Sequence, residues 1–230
     1  LCEATLGETT LSCVYKPVAG EQPLWDFPDG TLAGRELGAY LISVALGWDI
    51  VPHTIVREGP AGVGMVQMWV EQPEQPEDAG LVDLMPGDAV PAGYLSIITA
   101  YDYSGVEVTL VHADDPQLRR MALFDVVVNN ADRKGGHILA GADGRVYGVD
   151  HGLALHAHDK LRTVLWGWAG QKIDADDVAA LAELRNALRD AGGTYKIYKN
   201  TLVRLAAKER GLDIDDMLTG RNAKGVILFD

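Results

Sequence analysis

Two aspartates, Asp132 and Asp150, stand at opposite ends of the segment 129–153, NNADRKGGHILAGADGRVYGVDHGL. Asp132 follows the apolar run MALFDVVV, and Asp150 ends the strand-like run RVYGV. Carboxylates so placed suit phosphoryl transfer, in which one aspartate orients an attacking hydroxyl and the other holds the metal on the nucleotide phosphates. Lys134, two residues on, supplies a cation for the charge on the transferring group. His137, five residues after Asp132, offers the metal an imidazole, a poorer partner for hard magnesium than an amide oxygen. Asp-Gly and Asn-Asn pairs are also ordinary turn formers, so the doublet needs partners elsewhere in the chain.

Those partners occur upstream in a workable order. Lys16, in CVYKP, ends a strand from which its ammonium can reach nucleotide phosphates if the turn Gly7-Glu8-Thr9-Thr10 folds over them. Glu36 lies early on the next helix, where its carboxylate can pair with Lys16; the competing reading is a solvated acid favoured by the helix dipole. Met65, Met68 and Val70 enter an interlobe linker, where backbone amides would meet an adenine ring. His151, His156 and His158 cluster in sequence, but no Cys or Glu completes a zinc spacing. Trp166 and Trp168 read as core anchors.

Positioning these groups requires a particular set of elements. EATLG and LSCVYKPV read as two strands, and GEQPLWDFPDG as a loop whose Trp25 and Phe27 are pinned on the core. TLAGRELGAYLISVALG has apolar residues at helical spacing and stops at Gly47. WDIVPHTIVREG and VGMVQMWVEQ form two further strands, and EQPEQPED is an acidic, proline-rich linker. The stretch up to Val111 is weakly patterned and reads as mixed helix and loop. DPQLRRMALFDVVVNN is then a helix entering the Asp132 loop. DADDVAALAELRNALRDAGG and TLVRLAAKERG are helices flanking the short strand TYKIYKN. There is no internal repeat.

A chain of 230 residues with 47% hydrophobic residues can bury a sizeable core, and no run approaches the length of a membrane span. Cys2 and Cys13 fit no metal or disulfide framework and read as reduced thiols of a soluble, cytoplasmic protein. The net charge of -13 argues against nonspecific binding to DNA or to an anionic membrane. It is uneven: residues 1–172 carry net -12 and residues 173–230 net -1, as expected of segments with different tasks.

The ordered segments VYKP, GRELGAYL, VQMWVEQ, NNADRKGGHIL and GVDHGL resemble the protein-kinase-like superfamily. The likeness is nearest its phosphatidylinositol 3-/4-kinase-related and HipA-like branch, including an actinobacterial kinase-like family with the segments WDFPDGTLA and ADRKGGH. The resemblance covers about 1–172. It implies an α+β, two-lobed kinase-like fold, with a lobe of small antiparallel sheet plus helix over 1–71 and a mainly helical lobe over 72–172. It further implies ATP and Mg2+ or Mn2+ between the lobes, with Lys16 on the phosphates, Glu36 its partner, Asp132 catalytic, and Asp150 a metal ligand. The phosphoryl acceptor would be a hydroxyl of a protein or small molecule. The chain departs from the family in its thin glycine loop and in His137, which replaces an asparagine; a catalytically weak nucleotide-binding scaffold is the alternative.

The tail, ELRNALRDAGGTYKIYKNTLVRLAAKERGLDIDDMLTG, resembles the N-terminal domain of the ribosomal stalk-base protein, large-subunit protein ten. The helix–strand–helix pattern reads as a small αβα segment over 173–230, and the likeness implies that Lys196, Lys199 and Arg204 contact ribosomal RNA.

Overall fold

The computed structural model describes residues 1–6, 8–27, 30–74, 80–86 and 89–189. β1 (Cys2–Leu6) and β2 (Thr9–Pro17) form an antiparallel hairpin that continues into β4 (Gly62–Met68) and β3 (Thr54–Gly59). The resulting four-stranded sheet has the order β1-β2-β4-β3. Its register sets Lys16 opposite Met65 and Cys2 opposite Cys13. The strand bearing Lys16 lies so close to β4 that a Cβ at Gly64 would come within 2.6 Å of the Lys16 carbonyl oxygen. Only glycine permits that approach without backbone movement.

α1 (Leu32–Ala45) packs across β3 and β4. Ala39 and Ile42 on this helix, with Leu46 just beyond it, recur at the three- and four-residue spacing of one helical face and are buried. Thr31 caps nothing with its side chain. Instead the Glu21 carboxylate accepts from the Leu32 and Ala33 amides at 3.1 and 2.9 Å. Gly47, at a φ of +65°, follows the last turn, a left-handed stop as predicted.

Where mixed helix and loop were predicted, β5 (Val82–Pro86), β6 (Tyr94–Tyr101) and β7 (Glu107–Ala113) form an antiparallel sheet in the order β5-β7-β6. The strand period is obscured for a physical reason. A register shift interrupts β6 between Ser96 and Ile98, and most of that strand is solvent-exposed, so little apolar-to-polar contrast is written into it. The described part of 72–172 therefore has α2 (Pro116–Val127) as its one α-helix, rather than a mainly helical build. Asp115 caps α2, accepting from the Gln117 and Leu118 amides at 2.7 and 3.1 Å, with Pro116 in the first turn.

After α2 the chain makes the Asp132 loop and the ribbon β8 (Ile138–Ala140) and β9 (Val146–Gly148), and later α3 (Ala175–Arg189). One buried cluster joins Ala39, Ile42 and Leu46 to Leu118, Met121, Phe124 and Val128 around α2, and to Leu184 on α3. Phe27 is buried as expected, but Trp25 is 94% exposed. Lys160 Nζ stands over the Trp25 ring instead, at 5.1 Å. Trp168 is a core residue whose Nε1 donates to Asp114 at 2.9 Å, whereas Trp166 lies half in solvent. Cys13 is buried and Cys2 partly so, both as free thiols. Among the described residues no helix is long and apolar enough to cross a membrane.

Candidate functional site

Lys16 projects from the last turn-ward residues of β2 toward α1. Its Nζ donates to Glu36 Oε1 at 3.0 Å and to Asp150 Oδ1 at 2.7 Å. Glu36 is buried on the first turns of α1, and its other oxygen accepts from the His151 amide at 2.9 Å. A single carboxylate thus ties the strand lysine to the residue that follows Asp150. Burial alone would pull the Lys16 ammonium down, but Glu36 and Asp150 outweigh it and hold it above its ordinary value. Burial raises Glu36, with Lys16 opposing. For Asp150 burial is outweighed by Lys16, so its carboxyl sits below the usual aspartate range and stays ionised.

Asp150 ends the β8–β9 ribbon with a φ of 62°. That is the left-handed region, which few residues other than Gly, Asn and Asp visit. The loop on the other side of the ribbon is fixed by Arg133, which is fully buried at its side chain. Arg133 Nη2 donates to Asp125 Oδ1 at 2.9 Å, and its Nη1 donates to the carbonyls of His137 and Val149 at 3.1 and 3.2 Å. Its Nη2 also donates to His151 Nε2 at 2.6 Å. One guanidinium therefore binds the Asp132 loop to the Asp150 loop. Asp125 is held in turn by Asn130 Nδ2 and Thr163 Oγ1, each at 2.9 Å.

Within this frame Lys134 Nζ donates to Asp132 Oδ2 at 2.8 Å. His137 hydrogen-bonds through Nδ1 to the Asp132 carbonyl at 2.9 Å, and its Nε2 lies 3.4 Å from Asp150 Oδ2. Lys16, Glu36, Met65, Asp132, Asp150 and Gly152 line one cavity of about 560 Å³. That volume falls in the range of small-ligand sites, roughly 300–1,000 Å³. Among the described residues no group of three or more His, Cys, Asp and Glu gathers as a metal cage. Asp150 with His137 supplies two donors on one side, which suits an ion completed by ligand phosphates and water.

The remaining sequence candidates lie elsewhere. Gly7 is outside the described residues. Thr9 and Thr10 begin β2 while Lys16 stands near its end, and six residues of strand separate Thr10 from Lys16 by roughly 20 Å. Thr10 does not approach the ammonium; it lines a second cavity of about 450 Å³ with Met68, Val70 and Tyr147. Side-chain alternation along β4 explains the division, since Met65 and Met68 face opposite sides of the sheet. His156 turns to the Asp26 carbonyl at 2.8 Å, and His151 lies buried beside Arg133, so the three histidines do not share a site. Arg133 and Asp125 are not legible in the sequence as site residues. A basic residue in a polar loop looks solvated, and the sole signal was an aspartate inside the apolar run of α2.

Residues 173–228 match the family of ribosomal protein L10, and only their first part, through Arg189, lies within the described residues. The large ribosomal subunit protein uL10 of Staphylococcus haemolyticus is 53% identical over 47 residues, which cover 20% of this chain and 28% of that protein. The same protein of Clostridioides difficile is 54% identical over 48 residues, 20% of this chain and 29% of its own. Protein Rv2133c of Mycobacterium tuberculosis is 64% identical over 194 residues, spanning 82% of this chain and 70% of that protein. A likeness so close over so much of both chains makes this chain a member of the Rv2133c family.

Proposed function

We propose that residues 1–172 are an ATP-dependent phosphotransferase of two-lobed, kinase-like fold, acting on a hydroxyl of a protein or small molecule. The observation that carries this reading is the Lys16 ammonium shared between Glu36 at 3.0 Å and Asp150 at 2.7 Å, in a cavity that Asp132 also lines. The four-stranded sheet with α1 across it supports a small lobe over 1–71, and 72–172 forms the second. A bound nucleotide would supply the phosphoryl group, and Mg2+ or Mn2+ would neutralise its charge. Lys16 contacts phosphate oxygens, and Glu36 holds the ammonium in place. Asp132 accepts the hydrogen bond of the acceptor hydroxyl, while Lys134 offsets charge on the transferring group. Asp150 and His137 would hold the metal.

The test is a phosphate-release and transfer assay with Asp132→Asn and Asp150→Asn, beside a thermal titration with ATP. Both variants should lose turnover by at least about a hundredfold, a typical effect of losing positioned acid–base or electrostatic groups. Wild-type turnover in either variant sinks the reading. Nucleotide stabilisation without turnover across a broad acceptor panel assigns the catalytically weak scaffold instead.

A second reading concerns the tail and rests on a separate observation, the L10 match over residues 173–228. The relatives carrying that region are proteins of the large ribosomal subunit. Contact with ribosomal RNA through Lys196, Lys199 and Arg204 follows, these three residues lying outside the described residues.

A further inference from the structure

Resting on the phosphotransferase reading, we infer that His137 and Asp150 form a mixed nitrogen–oxygen half-site that selects a transition divalent cation, Mn2+ or Co2+, over Mg2+. Two independent features of the geometry point there. His137 Nδ1 lies 2.9 Å from the Asp132 carbonyl oxygen, which can only accept, so Nδ1 is the donor in that bond and Nε2 is the nitrogen left to offer a metal its lone pair. Imidazoles that bind metals nearly always donate their other ring N–H to a carbonyl or carboxylate in this way. That lone pair is 3.4 Å from Asp150 Oδ2. Two donors in adjacent positions of an octahedral ion, each about 2.1 Å from it, stand roughly 3 Å apart. The pair needs to yield only a few tenths of an ångström to share one ion.

The donor chemistry then decides which ion. Mg2+ prefers oxygen and keeps its water, whereas Mn2+ and Co2+ accept imidazole nitrogen readily, cobalt more strongly. The remaining positions fall to phosphate oxygens and water, in keeping with the absence of a third protein donor among the described residues. The arrangement also links the two aspartates, because the carbonyl that fixes the His137 ring belongs to Asp132.

The test uses the whole chain, titrated with MgCl2, MnCl2 or CoCl2, with and without a non-hydrolysable ATP analogue. Wild-type protein should bind Mn2+ or Co2+ at least about tenfold more tightly than Mg2+. Pulsed EPR of the Mn2+ form should show 14N coupling from one imidazole, and Co2+ should give a perturbed visible spectrum. His137→Asn, which restores an amide oxygen, should lose the nitrogen coupling and reduce the preference about tenfold, its metal-free Tm serving as the folding control. Nitrogen coupling that is absent from wild type in both arms, or that persists in His137→Asn, overturns the inference, as does a Mn2+ to Mg2+ ratio unmoved by the variant. Failure of the analogue to alter Tm with any of the three ions instead strikes the nucleotide reading, so the two failures are told apart.

Discussion

Among individual residues, Arg133 has the widest reach. It neutralises buried Asp125 and satisfies the His137 and Val149 carbonyls from a site without solvent. Replacing it with Leu strands the Asp125 carboxylate, so Arg133→Leu should lose about 3–5 kcal/mol in urea unfolding. Asp125→Asn combined with Arg133→Leu should recover part of that loss; two simply additive losses would refute the pairing. His112 makes a second residue-scale prediction. The Gly167 amide donates to its Nε2 at 3.1 Å, and its Nδ1 bonds the Ala113 carbonyl at 2.9 Å, so the neutral ring is satisfied. Burial depresses its pKa below the ordinary value. The unfolded chain therefore takes up this proton first as pH falls. The His112 contribution is complete above about pH 6.5 and declines below it, by at most about 1.4 kcal/mol per pH unit, until the folded-state pKa is passed. His112→Phe should cost about 1–3 kcal/mol at pH 7.5 by orphaning the Gly167 amide, and should flatten the slope of stability between pH 6.5 and 5. An unchanged slope would exclude His112 as its source. Lys16, Glu36, Asp132 and Asp150 were legible as candidates because their types and order carried chemical meaning. Arg133 and His112 were not, because their roles arise from partners 8 and 55 residues away.

At the scale of elements, the orientation of α1 governs where Glu36 meets Lys16. The helix is capped by Glu21, from a loop 11 residues ahead of the first amide it receives. Glu21→Ala should therefore cost about 1 kcal/mol, or roughly 2–4 °C in Tm, read by calorimetry. A Tm equal to wild type would show that water replaces the carboxylate without loss. α1, α2 and the strands around Lys16 were readable from apolar spacing, Gly47 and the Asp115–Pro116 start. The β5–β7–β6 sheet was not, since a register shift and exposed strand faces remove the alternation that identifies a strand. The Thr9–Thr10 turn failed as a phosphate grip for a simpler reason: one strand cannot bring both of its ends to the same place.

Over the whole molecule, charge separates two regions. Residues 1–172 carry net -12 and residues 173–230 net -1. An acidic body repels a polyanion, so the RNA contact proposed for the tail would fall to the tail's own cations. In the full chain, Lys196→Ala, Lys199→Ala and Arg204→Ala together should weaken binding to large-subunit ribosomal RNA. They should also lower the salt slope by about 0.7–0.9 for each lost phosphate contact. A slope unaltered by all three would remove the tail from RNA recognition. The tail's likeness to L10 was visible in the run TYKIYKNTL and recurs in the family match over 173–228. The phosphotransferase proposed for the larger region is argued instead from the meeting of Lys16, Glu36 and Asp150 beside Asp132.

The left-handed backbone at Asp150, with its φ of 62°, restricts what that position can become. Most side chains there incur roughly 1–2 kcal/mol of steric strain, which Asn and Gly largely escape. A saturation library at 150 selected only for folding should thus be enriched in Asp, Asn and Gly, and selection for the proposed chemistry should keep Asp alone. Asn is accordingly the substitution that silences the carboxylate and leaves the scaffold intact, and a loss seen with Ala would mix two causes.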